Sequence, residues 1–149
     1  MPNLPPLGLI PRLNGNAAAS AAATAASAYY NIVLSNGIQS LRNSYTGKRL
    51  QIVQVDIFGL FNQIVATPSN FSLANVTDSS QGVSSLDPDT YLFWDDLHPS
   101  THGHYIVAFN AAAMLARSNC QNASSEGKGS VGVGSDACAG LTAGFVGAQ

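Results

Sequence analysis

LQIVQVDIFGLFNQIVATP, residues 50–68, decides the class of fold. Leu50 to Asp56 is short, rich in β-branched residues and bounded by turn residues, which predicts a strand. Asp56 then stands where a helix needs a cap. Ile57, Leu60, Phe61, Ile64 and Val65 follow at i, i+3, i+4, i+7 and i+8, the spacing of one buried helix face. Pro68 ends that helix. Upstream, Asn14 or Asn16 can cap an alanine-rich stretch, and alanine has the best helix propensity. Tyr30, Leu34, Ile38 and Leu41 keep helical phase across Asn36-Gly37, so one long helix to about Ser44 is predicted, with those four as its buried stripe. Helix, strand, helix in that order predicts the α/β class, a parallel sheet with crossover helices.

Outward from this unit the signals change. Asn3 to Leu13 reads as the end of an extended segment and a loop, because Pro5, Pro6 and Pro11 are excluded from a helix interior. Asn70 to Asp89 is polar and turn-rich, a long surface connection. Tyr91, Phe93 and Trp94 return the chain to the core, although the sequence leaves open whether Trp94 packs inward or borders a site. Pro99 and Thr101 start a last helix, with Tyr105, Phe109, Ala112 and Ala116 at i, i+4, i+7 and i+11 and Arg117 at its negative end. From Ser118 to residue 149 the chain has neither period and reads as a Gly/Ser-rich flexible tail that a Cys120–Cys138 disulfide would close.

The 149 residues suit one domain. Only 9% are charged and the net charge is −2, which argues against nucleic-acid or anionic-membrane partners. No apolar run nears the roughly 20 residues of a transmembrane helix. Sequons at Asn70-Phe-Ser, Asn75-Val-Thr and Asn122-Ala-Ser, with the two cysteines, fit a secreted protein. The proline-rich start does not read as a signal peptide, so a secreted-looking body stands without a secretion signal.

The chemistry concentrates in residues 91–117, YLFWDDLHPSTHGHYIVAFNAAAMLAR. Asp95 and His98 stand three apart in a turn that feeds a helix. A carboxylate there can hold one ring nitrogen and leave the other facing a substrate, the acid–base half of a nucleophilic triad. Two other readings stay open. Asp, Pro and Ser/Thr also shape turns and helix starts for local reasons. His98, His102 and His104 with Asp95 or Asp96 offer a metal-ligand set, weakened by Pro99 at the helix start and by the lack of a remote fourth ligand.

FWDDLHPST resembles the last motif block of the SGNH/GDSL ester hydrolases, an Asp-x-x-His pair ahead of the C-terminal helix. The resemblance implies Asp95 as triad acid, His98 as base and Asp96 as a neighbour that takes no part. NLPPLGLIP (residues 3–11) is similar to the family segment after the fourth strand, and VDIFGLFNQIVATPSNF with NVTD to the segment before the Asp-x-x-His turn. The similarity spans residues 3–117. It implies a partial SGNH hydrolase: a flavodoxin-like parallel sheet with flanking helices, lacking its N-terminal strands, with residues 118–149 as a tail.

The family's Gly-Asp-Ser nucleophile block is missing from these residues, as is a Gly-x-Asn-Asp block for the oxyanion hole; Gly134-Ser135-Asp136 has the letters in another order. A fragment of a longer, secreted gene product is the expectation that covers both absences and the missing signal peptide. The implied function is a carboxylic ester hydrolase of the GDSL lipase/esterase type, inactive as this chain alone, acting on a small ester, a lipid or an acylated carbohydrate. No cofactor is implied. The alternative is a non-catalytic remnant or interaction fragment, and the uncovered sheet predicts self-association.

Overall fold

In a computed structural model the chain is described over residues 1–48, 50–82 and 87–125, with backbone alone for the last five. Helix α2, Ala17–Ser44, is the long helix expected, capped by the Asn16 side chain accepting from the Ala19 amide at 3.1 Å. Its packed face differs from the apolar stripe. Ile38 is buried and Leu34 half-buried, but Tyr30 and Leu41 are exposed. The face turned inward runs through Ser20, Ser27, Asn31, Leu34 and Ile38, and its first half is polar because it meets peptide backbone rather than side chains. Asn31 accepts from the Leu4 amide at 2.8 Å and donates to the Leu4 carbonyl at 2.9 Å. Ser27 Oγ accepts from the Leu7 amide at 3.2 Å, and Ser20 Oγ donates to the Gly8 carbonyl at 2.7 Å. Residues 4–8 thereby satisfy backbone groups on a helix, a service usually supplied by a neighbouring strand.

The prolines act differently from expectation. Residues Leu7–Leu9 form a 3-10 turn, and Pro11 opens a short helix α1, Pro11–Asn14, at the first helical position, where its missing N–H costs nothing. The predicted strand at 50–56 is reduced to one parallel bridge, Pro2 to Val55. The Asn3 amide donates to Val55 O at 3.0 Å, and the Val55 amide donates to Met1 O at 2.9 Å. Pro2, in the middle of that partner segment, has no N–H to extend the ladder. Asp56 does cap helix α3, Ile57–Ala66, accepting from the Gly59 amide at 3.0 Å, and Asn3 Oδ1 accepts from Ile57 N and Phe58 N. Ile57, Leu60, Phe61 and Ile64 are buried as the spacing predicted, with Val65 half-buried.

The first strand lies in the stretch that reads as a connection, the second where Tyr91 and Phe93 were expected to return the chain to the core. Strand β1, Asn75–Ser79, pairs in parallel with β2, Tyr91–Phe93, with Asn75 opposite Tyr91 and Ser79 opposite Phe93. β1 uses more residues than β2 over the same ladder, so the pairing is irregular. Helices with a parallel sheet make the α/β class, in a two-stranded form among the described residues. The core joins Ile10, Val55, the α3 face, Phe71, Leu73, Leu92, Phe93 and Ile106.

Helix α4, Thr101–Ser125, continues past Ser118, where a loop-rich tail was expected. Its packed face also differs by one position from the predicted stripe. Gly103 and Ile106 are buried, with Val107, Ala111 and Met114 packed against the core. Tyr105 and Phe109 are exposed, their rings 6.1 Å apart. No described helix is long and apolar enough to cross a membrane. Cys138, the expected partner of Cys120, lies outside the described residues, as does most of the 118–149 segment.

Two glycines of opposite environment test this packing. A Cβ on Gly8 would lie 2.0 Å from the Ser20 carbonyl oxygen, so Gly8→Ala should lift residues 4–8 off α2 and cost about 1–3 kcal/mol. A Cβ on Gly37 would meet nothing within 4 Å, and Gly37→Ala should add up to about 1 kcal/mol through helix propensity. Thermal melts of the two variants should therefore move in opposite directions; a neutral Gly8→Ala contradicts the clamped segment.

Candidate active site

The turn from Trp94 to Ser100 is a closed loop pinned at its base. The Trp94 amide donates to the His98 carbonyl at 2.9 Å, the Ser100 amide to the Leu92 carbonyl at 2.8 Å, and Phe93 and Pro99 form an antiparallel bridge. Ser100, wholly buried, is the residue before α4. Its Oγ donates to the Tyr91 carbonyl at 2.6 Å and accepts from the Gly103 amide at 3.0 Å, so it caps the helix and ties it to β2. A Cβ at Gly103 would come within 2.8 Å of the Leu92 carbonyl oxygen, so the bare glycine lets α4 sit on β2.

Within this frame Asp95 and His98 are brought together. Asp95 Oδ1 accepts from the Leu97 amide at 2.8 Å and the His98 amide at 2.6 Å, and Oδ2 lies 2.8 Å from His98 Nδ1. Backbone and ring hydrogen bonds from His98 and the Leu97 amide together hold the Asp95 carboxyl at about 2, well below the ordinary carboxylate range. An ionised carboxylate has no proton to give. The hydrogen in the 2.8 Å contact therefore belongs to Nδ1, and a neutral His98 keeps its lone pair on Nε2. The Asp95 side chain is 25% exposed and that of His98 66%, so the ring's far side is open.

The neighbouring candidates have other duties. Asp96 turns away from His98 and binds Arg12 through two contacts, Nε to Oδ2 at 2.8 Å and Nη2 to Oδ1 at 2.9 Å, while the Arg12 amide donates to the Asp96 carbonyl at 2.9 Å. This bidentate pair lowers the Asp96 pKa and raises that of Arg12. His102 Nε2 donates to the Phe71 carbonyl at 2.8 Å, joining α4 to the 3-10 turn Pro68–Phe71. His104 is exposed. Among the described residues no group of three His, Cys, Asp or Glu side chains is arranged to hold a metal ion. Trp94 is 44% exposed and, with Asp89, Pro99 and His104, borders an open pocket of about 360 Å³ beside the turn.

Arg12 and Ser100 went unread in the sequence. Arg12 did leave a signal, as the only basic residue ahead of Arg42 in a chain with an Asp-Asp pair. Ser100 left a weaker one, a Ser before a helix already explained by Pro99.

Comparison with known proteins turns this geometry into a family assignment. The family model described as GDSL-like Lipase/Acylhydrolase matches residues 1–110, which include β1, β2, the Asp95–His98 turn and the start of α4. The chain belongs to the GDSL-like lipase/acylhydrolase family. A GDSL esterase/lipase of Arabidopsis thaliana, At1g06990, is 23% identical over 100 residues, 58% of this chain. The match covers 27% of that relative, so the chain spans about a quarter of its length. The GDSL family is one of SGNH-like α/β hydrolases acting on esters, in keeping with the parallel pairing of β1 and β2.

The turn of this GDSL chain makes an acid-titration prediction. The Asp95 carboxyl has a folded pKa near 2 against an unfolded value near 3.8. Its bonds therefore stabilise the turn fully above about pH 4 and are lost as pH falls toward 2. In an acid titration followed by NMR, the Leu97 and His98 amides should hold their positions to below pH 3 and then move together. A midpoint near 4 contradicts the three-donor carboxylate.

Proposed function

We propose that Asp95 and His98 are the acid and base of a Ser-His-Asp triad in a carboxylic ester hydrolase, and that β1, β2, α3 and α4 form the C-terminal part of its SGNH domain. The observation that carries this reading is the 2.8 Å contact between His98 Nδ1 and a carboxylate held ionised by its own turn. In this role His98 Nε2 removes the proton from a serine hydroxyl as the oxygen attacks the ester carbonyl. Asp95 stabilises the imidazolium that results, and His98 then protonates the departing alkoxide. Water repeats the sequence on the acyl-enzyme. The serine and its oxyanion donors belong to Gly-Asp-Ser and Gly-x-Asn blocks that these 149 residues do not include. The substrate class is a small ester, a lipid or an acylated carbohydrate. The exposed Tyr29 and Tyr30 of α2 support association with further protein surface, a second copy included.

Hydrolysis of a short-chain aryl ester tests this directly. The 149 residues alone should show the uncatalysed background and resist labelling by a fluorophosphonate. In a polypeptide carrying the Gly-Asp-Ser block ahead of them, His98→Ala and Asp95→Ala should each lower kcat/KM on the order of 10³-fold or more. His102→Ala and His104→Ala should stay within about tenfold of the parent. Efficient hydrolysis by the 149 residues, unchanged in His98→Ala, contradicts the proposal.

A further inference from the structure

The Asp-x-x-His turn is closed upon itself, so its internal hydrogen bonds do not explain how it is placed against the remainder of the chain. Its base rests on β2, and the Gln81 amide meets the Trp94 carbonyl at 2.8 Å; three bonds from one residue add the tie to the start of the chain. Arg12 reaches across 84 positions of sequence to grip both oxygens of Asp96, and its own amide holds the Asp96 carbonyl. No other described side chain pairs with the Asp96 carboxylate. Arg12 lies on α1, directly after the segment that α2 clamps through Ser20, Ser27 and Asn31. Asn14, at the end of α1, also donates to the Thr77 carbonyl in β1 at 2.5 Å. The strap thus leads from the turn to α1, and from there to both α2 and the sheet.

We propose that Arg12, through Asp96, is the positioning residue of the acid–base turn. This rests on the reading of Asp95 and His98 as acid and base. Two physical effects follow from the pairing. Drawing the Asp96 carboxylate to Arg12 leaves Asp95, among the described residues, as the only carboxylate on the imidazole. The planar guanidinium also fixes the direction of the Asp96 carboxylate as well as its distance, which an ammonium cannot do, while the Arg12 amide holds the 96–97 peptide through its carbonyl. Both partners are more than half exposed, 57% and 54%, so the strap orients the turn while adding little to global stability.

Hydrogen exchange followed by NMR on the whole chain tests this without any catalytic assay, so it stands or falls separately from the triad reading. Arg12→Gln and Asp96→Asn should each speed exchange of the His98 amide and ring Nδ1 proton at least about fivefold, and the double variant should be no faster than either single one, as expected of one coupled pair. Arg12→Lys should fall between the parent and Arg12→Gln, since charge remains but the fork is gone. The melting temperature should stay within about 2 °C, in line with an exposed pair. Unchanged exchange at His98 in both single variants overturns the proposal. So does a uniform acceleration across all amides with a lowered melt, which would make Arg12 a general stabiliser. If Arg12→Gln does not fold, salt on the unmodified chain decides. At 1 M the screening length is about 3 Å, and His98 exchange should then accelerate relative to 0.05 M; an unresponsive His98 overturns the proposal.

Discussion

A carboxylate has roughly four lone-pair sites, and three of those on Asp95 are filled by its own turn: the Leu97 amide, the His98 amide and His98 Nδ1. This set fixes the ionisation of Asp95, the tautomer of His98 and the shape of the loop in a single step. It needs no distant partner, because every donor lies within three residues. What the remainder of the chain contributes is a base for the loop. β2 supplies the Leu92 carbonyl to the Ser100 amide, Ser100 Oγ joins the loop exit to Tyr91, and Gly103 lets α4 approach β2. His98 Nε2 is thereby presented at the junction of a strand end and a helix start.

Around this turn the fold solves its backbone problem with side chains. A 28-residue helix gives three polar residues of its inner face to the peptide groups of residues 4–8, and Asn3 Oδ1 accepts from the first two amides of α3. These are directional contacts, and they set register where hydrophobic packing alone would let a proline-rich segment slide. The same arrangement leaves Tyr29, Tyr30, Ile32 and Val33 of α2 and Tyr105 and Phe109 of α4 turned outward.

The legibility of the sequence follows from which interactions are local. The α3 face, the Asn16 and Asp56 caps and the span of α2 were readable because each depends on residues within a few turns of one another. The Asp95–His98 contact was readable for the same reason. The α2 and α4 stripes were misread because counting apolar residues rewards Tyr30, Tyr105 and Phe109. The true neighbours of those faces, a peptide segment and the β2 backbone, instead select Ser, Asn and Gly. β1 was hidden by its polar composition, Asn-Val-Thr-Asp-Ser, which reads as turn. The strand at 50–56 had the right residues but only Met1–Asn3 beside it among the described residues, with Pro2 in the middle. Arg12 was hard to read for a different cause: its partner is 84 residues away, and its standing as the only basic residue ahead of Arg42 is a weak trace of that pairing.

An ionised Asp95 holds the proton of His98 on Nδ1 and leaves Nε2 free. The ¹⁵N chemical shifts of the His98 ring, recorded with the imidazole neutral, measure that tautomer directly. They should show a protonated Nδ1 and a lone pair on Nε2, reverting toward the Nε2-protonated form in Asp95→Ala. A His98 that already carries its proton on Nε2 in the unaltered chain, with no response to loss of Asp95, contradicts that assignment.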